Sequence, residues 1–403
     1  MSSSAPIPSP RSGSAAVVGL GTMGAGIAEV LAGHGFRVIG IDADDAALER
    51  GRSIVQTSTG RALERGKITE ADRTALIDRI EYGSEIDAVA EADVVIEAVS
   101  ESLELKTSIF SRLGALAAPD ALLATNTSSL PITAIARASG SPERVVGVHF
   151  FNPAPVQSLV EVVRTVLTEP ATERRALELV TGLGKTPIVC GDRAGFVVNA
   201  LLVPYLNRAV RLLQDGFATA EQIDQAMVDR AGYPMGPLTL LDLVGLDVTA
   251  SALQRMYDET RDRRHAPTAL LVELVTAGWL GRKTGNGILI GAGADRPAPR
   301  VLVDRSPELP EALLLPYLND VCRMVEISYA TPDMIDTGMS RGCRMPLPFD
   351  VLAELGPRRV LAGQQQIFAE TAEPGDRPSL LLERLAGAAD PAAALAQLRT
   401  LGR

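Results

Sequence analysis

Histidine and cysteine are scarce in this chain, with three of each in 403 residues. The cysteines Cys190, Cys322 and Cys343 are odd in number and no two form a CxxC spacing. That excludes a disulfide framework and a thiolate zinc knuckle, and it predicts small buried hydrophobes in a reducing compartment. A basic excess is missing too: 39 Lys and Arg stand against 49 Asp and Glu, for a net charge of −10. A broad nucleic-acid surface is therefore not expected, and an anionic ligand has to be met by a local basic patch or by backbone N–H groups. No apolar run is long enough to span a bilayer, so no membrane role is expected. The Ser/Pro-rich start "MSSSAPIPSPRSGS" has neither the charged beginning nor the apolar core of a leader. Residues 1–13 read as a disordered tail, and the cytoplasm is the default location.

What is present is 46% hydrophobic residues, enough for the packed cores of two or three domains. From residue 14 to 193 short β-branched runs alternate with helical stretches: "AAVVG", "RVIGID", "ADVVIEAV", "ALLATN" and "RVVGVHFF". That alternation predicts an α/β domain around a parallel sheet. Between the second and third runs lies a charged, helix-favouring insert, expected as two helices projecting from the sheet. Beyond residue 193 strand signals give way to helical patterns, and the chain repeats itself. "LLVPYLN" returns as "LLLPYLN" and "ATAEQID" as "ATPDMID", both 112 residues on (Pro204 to Pro316, Asp224 to Asp336). Each copy places a Thr at a helix N-cap: Thr219 with Gln222 three residues later, and Thr331 before Pro332. A duplicated helical domain follows, with a first copy over 194–290, a linker over 291–310 and a second copy over 311–403.

Directly after the first strand run comes Gly19-x-Gly21-x-x-Gly24, opening a helix. In a strand–turn–helix context these glycines permit a tight turn, a close approach of backbone to a pyrophosphate, and close helix–strand packing. Asp42 ends the next strand run, 18 residues past Gly24, where a carboxylate accepts from both ribose hydroxyls and repels a 2′-phosphate. NAD is thus the expected cofactor and the domain a Rossmann-type fold; no metal is expected. One histidine falls in an unusual place. His149 ends the run "VVGVHF", and past the bend "NPAP" Glu161 interrupts the run "LVEVV". A bend returning one strand beside the other would let the imidazole take an alcohol proton while the carboxylate fixes its tautomer. A structural His–Glu hydrogen bond in a half-buried seam fits the same spacing. His34 and His265 read as a helix end and a loop.

The segments "GLGTMGAGIA", "EAVSESLELK", "TNTSSL", "GVHFFNPAPV", "LVEVV", "GFVVNALLVPYLN", "GYPMGPLTLLDLVGLD" and "GRKTGNG" occur in this order with tight spacing. Together they resemble the 3-hydroxyacyl-CoA dehydrogenase family, in particular its short 3-hydroxybutyryl-CoA dehydrogenases, over about residues 15–287. The resemblance implies NAD-linked interconversion of (S)-3-hydroxyacyl-CoA and 3-oxoacyl-CoA, with short acyl chains and a place in fatty-acid metabolism. It implies His149 as base and Glu161 as its carboxylate partner, with Ser128 near the substrate oxygen and Asn199 completing the polar site. It places Gly19, Gly21, Thr22, Met23, Gly24, Asp42, Glu101, Lys106, Asn152 and Lys283 on the nucleotide. It puts Ser58 and Arg65 near coenzyme A, where Arg61, Arg65 and Lys67 would give the insert a cationic end for phosphates.

Gln157-Ser158 after "NPAPV", Thr239 in "GPLTLLD" and the non-aromatic "GNGILI" depart from the family's usual residues. They keep open an acyl-carrier-protein thioester or a hydroxy acid such as carnitine in place of the CoA substrate. A non-catalytic NAD-binding protein is the reading from another class. The two helical copies are expected to pair within the chain, with further oligomerisation open.

Overall fold

The computed structural model describes residues 13–294 and 305–400. The tail expected at 1–13 lies, except for Gly13, outside the described residues, as do 295–304 of the expected linker. The chain divides into two compact units, residues 1–193 and 194–403.

The first unit is built on one eight-stranded sheet. Its strands are β1 (Ser14–Val18), β2 (Arg37–Ile41), β3 (Ile80–Gly83), β4 (Val94–Glu97), β5 (Leu122–Thr125), β6 (Val145–Phe150), β7 (Leu159–Arg164) and β8 (Thr186–Gly191). They lie in the order β3-β2-β1-β4-β5-β6-β7-β8. The first six are parallel, so both faces need covering, and their sequences read as continuous apolar runs for that reason. Ala15 and Val17 of β1 pack to one side with Ile27 and Leu31. Ala16 and Val18 pack to the other with Phe110 and Leu113. The covering helices are α1 (Thr22–Gly33), α2 (Asp45–Glu64), α3 (Glu70–Ile77), α4 (Leu103–Leu116), α5 (Ile132–Ala138) and α6 (Pro170–Gly182).

Two features differ from the sequence expectation. The insert does form two helices, but they pack against α1 and the glycine loop rather than standing free of the domain. Gly51 of α2 sits where a Cβ would come 2.6 Å from the Leu20 side chain, and Leu76 of α3 reaches Gly33 of α1. The insert also ends in β3, four residues of which one is Glu and one Gly, too short and mixed for an alternation signal. At the other edge β7 runs antiparallel to β6, because the connection through 151–158 is too short for a crossover. β8 carries Pro187, which an edge strand tolerates.

The second unit is helical: α7 (Val198–Gln214), α8 (Ala220–Gln225), α9 (Pro237–Val244), α10 (Leu246–Thr260) and α11 (Ala269–Thr276), then α12 (Leu309–Glu326), α13 (Pro332–Cys343), α14 (Pro348–Leu355), α15 (Pro357–Thr371), α16 (Leu380–Gly387) and α17 (Pro391–Thr400). The halves repeat one another's hydrogen bonds. Asn207 on α7 donates to the carbonyls of Arg264 and Ala266 and accepts from Thr268 N, while Asn319 on α12 donates to Arg377 O and accepts from Ser379 N. Asp224 accepts from Leu238 N and Thr239 N, and Asp336 from Phe349 N. Thr219 and Thr331 cap α8 and α13, the first with a full capping box. α7 packs on α12, with the rings of Tyr205 and Tyr317 5.8 Å apart. Arg264 of the first half grips Asp320 of the second at 3.0 and 3.2 Å.

Candidate functional site

The glycine loop between β1 and α1 has the shape a dinucleotide needs. Gly19 adopts φ +92°, and a Cβ there would lie 2.7 Å from Val99 N; on Gly24 a Cβ would meet the carbonyl oxygen of Gly19 at 1.7 Å. Over Gly21 the space is open. Helix α1 has no side-chain N-cap and no acidic residue in its first turn, so its leading N–H groups and their positive dipole end face outward, as a pyrophosphate requires. Thr22 and Met23 begin that first turn. At the end of β2, Asp42 accepts from Leu20 N and Ala43 N, both at 2.7 Å, which aims the carboxylate beside the loop where a ribose would lie. These residues fit an NAD moiety.

The hairpin of β6 and β7 brings the two residues together. Antiparallel pairing sets His149 directly opposite Glu161. Residues so paired point to the same face, and the imidazole Nδ1 lies 2.7 Å from Glu161 Oε2. Glu161 is fully buried and His149 is 7% exposed. The Phe151 ring lies against the imidazole, centroids 4.7 Å apart. Just past the strand, Asn126 accepts from Phe150 N at 2.8 Å, tying the end of β5 to the histidine strand. Asn152, exposed, follows with a cis bond to Pro153.

Beside this pair lies a carboxylate-centred loop. Glu101 accepts from Thr127 Oγ1 at 2.6 Å, Ser128 N at 3.0 Å and Ser128 Oγ at 3.3 Å. Burial works to raise the Glu101 carboxyl, but the hydrogen bonds from Thr127 and Ser128 and the charges of Lys106 and His149 outweigh it and hold it below the usual range. Lys106 lies beneath the surface. Its ammonium donates to Glu97 Oε1 at 2.6 Å and Val99 O at 3.3 Å, with Glu101 Oε2 at 3.6 Å, and both Lys106 and Glu97 have no exposed side-chain surface. The second oxygen of Glu97 accepts from Thr125 Oγ1 at 2.7 Å. Sequence reasoning missed Glu97 and Thr125, although a carboxylate inside the fully apolar run "VVIEAV" was the signal. A parallel strand buried on both faces admits a charge only when it is paired.

On α2, Ser58 hydrogen-bonds Glu29 of α1, while Arg65, with Arg61 and Lys67, lies exposed at the helix's C-terminal end. Glu29 is 7% exposed, and burial pushes its carboxyl up to about 7 against the hydrogen bond from Ser58 and the charge of Lys185. Asn199 stands in the first turn of α7 in the second unit. Lys283 belongs to that unit too, its ammonium 2.6 Å from both oxygens of Asp247. Its loop is organised by Asp242, which accepts from Ile288 N and Leu289 N at 2.8 Å. His34 and His265 have local partners, Val30 O and Thr260 Oγ1, both at 2.8 Å. No helix among the described residues is long and apolar enough to cross a membrane.

Comparison with known proteins agrees with this geometry. The family model for the 3-hydroxyacyl-CoA dehydrogenase NAD binding domain matches residues 14–193, and that for the 3-hydroxyacyl-CoA dehydrogenase C-terminal domain matches twice, over 195–290 and 311–394. A 3-hydroxybutyryl-CoA dehydrogenase of Mycobacterium tuberculosis is 45% identical over 273 residues, 67% of this chain and 96% of the relative. A 3-hydroxyadipyl-CoA dehydrogenase of Escherichia coli is 36% identical over 384 residues, 92% of this chain and 81% of the relative. The crystal structure of an E. coli 3-hydroxybutyryl-CoA dehydrogenase superposes with a TM-score of 0.84 at 31% identity, covering 93% of this chain and 98% of that one.

Proposed function

The chain belongs to the 3-hydroxyacyl-CoA dehydrogenase family and is an NAD-dependent dehydrogenase, and from that premise we propose that it oxidises short (S)-3-hydroxyacyl-CoA thioesters, reversibly, with His149 as the base. The observation that carries this reading is the 2.7 Å contact between His149 Nδ1 and the fully buried Glu161. With Nδ1–H given to the carboxylate, the lone pair of the neutral ring lies on Nε2, which takes the hydroxyl proton. Glu161 then faces an imidazolium across a dry contact and stabilises it, and positioned proton transfer of this kind contributes about 10²–10⁴-fold. NAD, when bound, supplies the hydride acceptor. Ser128, on the loop held by the Glu101 carboxylate, would turn its hydroxyl from Glu101 Oε1 to donate to the substrate oxygen. Asp42 selects the unphosphorylated ribose, while Arg61, Arg65 and Lys67 meet the phosphates of the carrier.

The decisive experiment is NADH oxidation with acetoacetyl-CoA by the wild-type chain and by His149→Gln. The variant should lose turnover by about 10³-fold or more while binding NADH normally, and retained turnover removes the assigned base. A second reading has a specific support: the relative matched over 92% of this chain bears the name 3-hydroxyadipyl-CoA dehydrogenase, so a dicarboxylic acyl chain on the same carrier fits as well. Comparing kcat/KM on 3-oxobutyryl and 3-oxoadipyl thioesters, as CoA and carrier-protein forms, separates these, and carnitine tests the free hydroxy acid.

A further inference from the structure

The hairpin that carries His149 and Glu161 is joined by residues 151–158, and this loop holds the exposed Asn152. Its anchors are unequal. Inside the turn, Val156 N and Gln157 N both donate to Pro153 O, at 2.9 and 3.0 Å. Ala154 is 2% exposed, and its side chain and Pro155 close over Gly26 of α1, where a Cβ would come within 3.3 Å of both. The carbonyls of Ala154 and Gln157 converge on a single ammonium: Lys185 Nζ lies 2.7 Å from the first and 2.8 Å from the second.

Lys185 comes from the segment between α6 and β8. It follows Gly184 at φ +64° and precedes Thr186, which pairs with Leu159 and donates to Ser158 O at 2.7 Å. The lysine thus stands just beyond the end of the β7–β8 ladder and reaches back under the loop. The buried carboxyl of Glu29 on α1 is its nearby opposite charge; one oxygen of that carboxyl finds no hydrogen-bond partner among the described residues. A flexible ammonium with three donors can serve two converging carbonyls and a neighbouring carboxylate together, which a planar or neutral group does less well.

We propose that Lys185 is a positioning residue: by clamping the carbonyls of Ala154 and Gln157 it holds the 151–158 loop in the conformation that presents Asn152 to the nicotinamide nucleotide. This rests on the proposed NAD-dependent function and on the cofactor contact that the family resemblance implies for Asn152. The His149–Glu161 pair sits inside the strand ladder, so the clamp acts on cofactor affinity more than on turnover.

The test measures NADH dissociation constants by calorimetry, steady-state kinetics, and hydrogen exchange of the loop amides in the cofactor-free protein, for Lys185→Met, Lys185→Arg and Lys185→Gln. Lys185→Met is expected to weaken NADH binding and raise its KM by about tenfold, with kcat changed less than threefold and faster exchange at Val156 and Gln157. Lys185→Arg, which keeps charge and donors, is expected to recover at least half of that loss on a logarithmic scale. Unchanged NADH affinity in Lys185→Met, or an arginine variant no better than methionine, overturns the proposal. If the methionine variant does not fold, Lys185→Gln replaces it and is expected to weaken NADH binding at least threefold; wild-type affinity there also overturns it. Asn152→Ala keeps the two readings apart. Weakened binding in Lys185→Met with none in Asn152→Ala removes the role of Asn152 and with it the route proposed for Lys185. Loss of turnover in His149→Gln is independent of both.

Discussion

Replacing Glu97 by Gln strands a buried cation. Lys106 and Glu97 have no exposed side-chain surface and meet at 2.6 Å. Their separate desolvation is offset mainly by each other, with Thr125 Oγ1 and Val99 N on the carboxylate, and Val99 O and the more distant Glu101 carboxylate, at 3.6 Å, on the ammonium. Removing one partner of such a pair costs about 3–5 kcal/mol, because the remaining charge stays buried without compensation. A Gln carbonyl can keep one of the two donors, and the other loses roughly 1 kcal/mol more. For a unit of this size the midpoint should fall by on the order of 10 °C. Far-UV circular dichroism follows the change, since the single tryptophan, Trp279, belongs to the other unit. Lys106→Met should be similarly destabilised. The double variant Glu97→Gln/Lys106→Met, with no buried charge, should recover most of the loss. A Glu97→Gln protein within about 1 kcal/mol of wild type, or a double variant no better than the singles, refutes the argument that the pair is mutually dependent.

Other outcomes follow from the same geometry. Glu161→Gln should lower kcat by about 10²–10³-fold with NADH affinity unchanged, since it removes only the charge facing the imidazolium; stopped-flow and equilibrium titration read the two separately. Asp42→Ser should narrow the preference for NADH over NADPH in kcat/KM, because the carboxylate that opposes a 2′-phosphate is gone. Asn207→Ala and Asn319→Ala should each destabilise the helical unit by about 2–4 kcal/mol in urea unfolding, as buried backbone groups lose their partners. Asn207 should cost more, having three such bonds against two. Glu29 has a folded carboxyl raised from 4.5 to about 7 by burial, so the folded state binds more protons between those values and loses stability as pH rises through them. Relative to wild type, Glu29→Gln should therefore gain stability between pH 4.5 and 7.5, by roughly 3 kcal/mol, in parallel unfolding curves.

Much of the molecule was legible in one dimension because short-range physics writes a local signature. The glycines at 19, 21 and 24 serve a turn that only small residues permit, so the nucleotide loop showed itself. Apolar runs marked the parallel strands because a sheet covered on both faces leaves no polar positions. The repeat of "LLVPYLN" and "ATAEQID" exposed the helical duplication. Four-residue β3 could not be seen, since its pairing comes from β2 and not from its own pattern. Whether the two insert helices stand out or pack down was invisible as well, because the answer lies in the match of Gly51 to Leu20 across α2 and the glycine loop.

The residue types and order that name the chemistry belong to the sequence: a base in one apolar run, a carboxylate in the next, and an acid at the end of the second strand. Their register does not. Only the antiparallel hairpin decides that His149 meets Glu161 at 2.7 Å, and only the packing of α4 on β4 and of the α6–β8 turn under the 151–158 loop decides that Lys106 turns inward onto Glu97 and that Lys185 reaches a loop some thirty positions earlier. Such contacts join segments far apart along the chain, and distance along the chain carries no information about the geometry that burial and strand pairing impose.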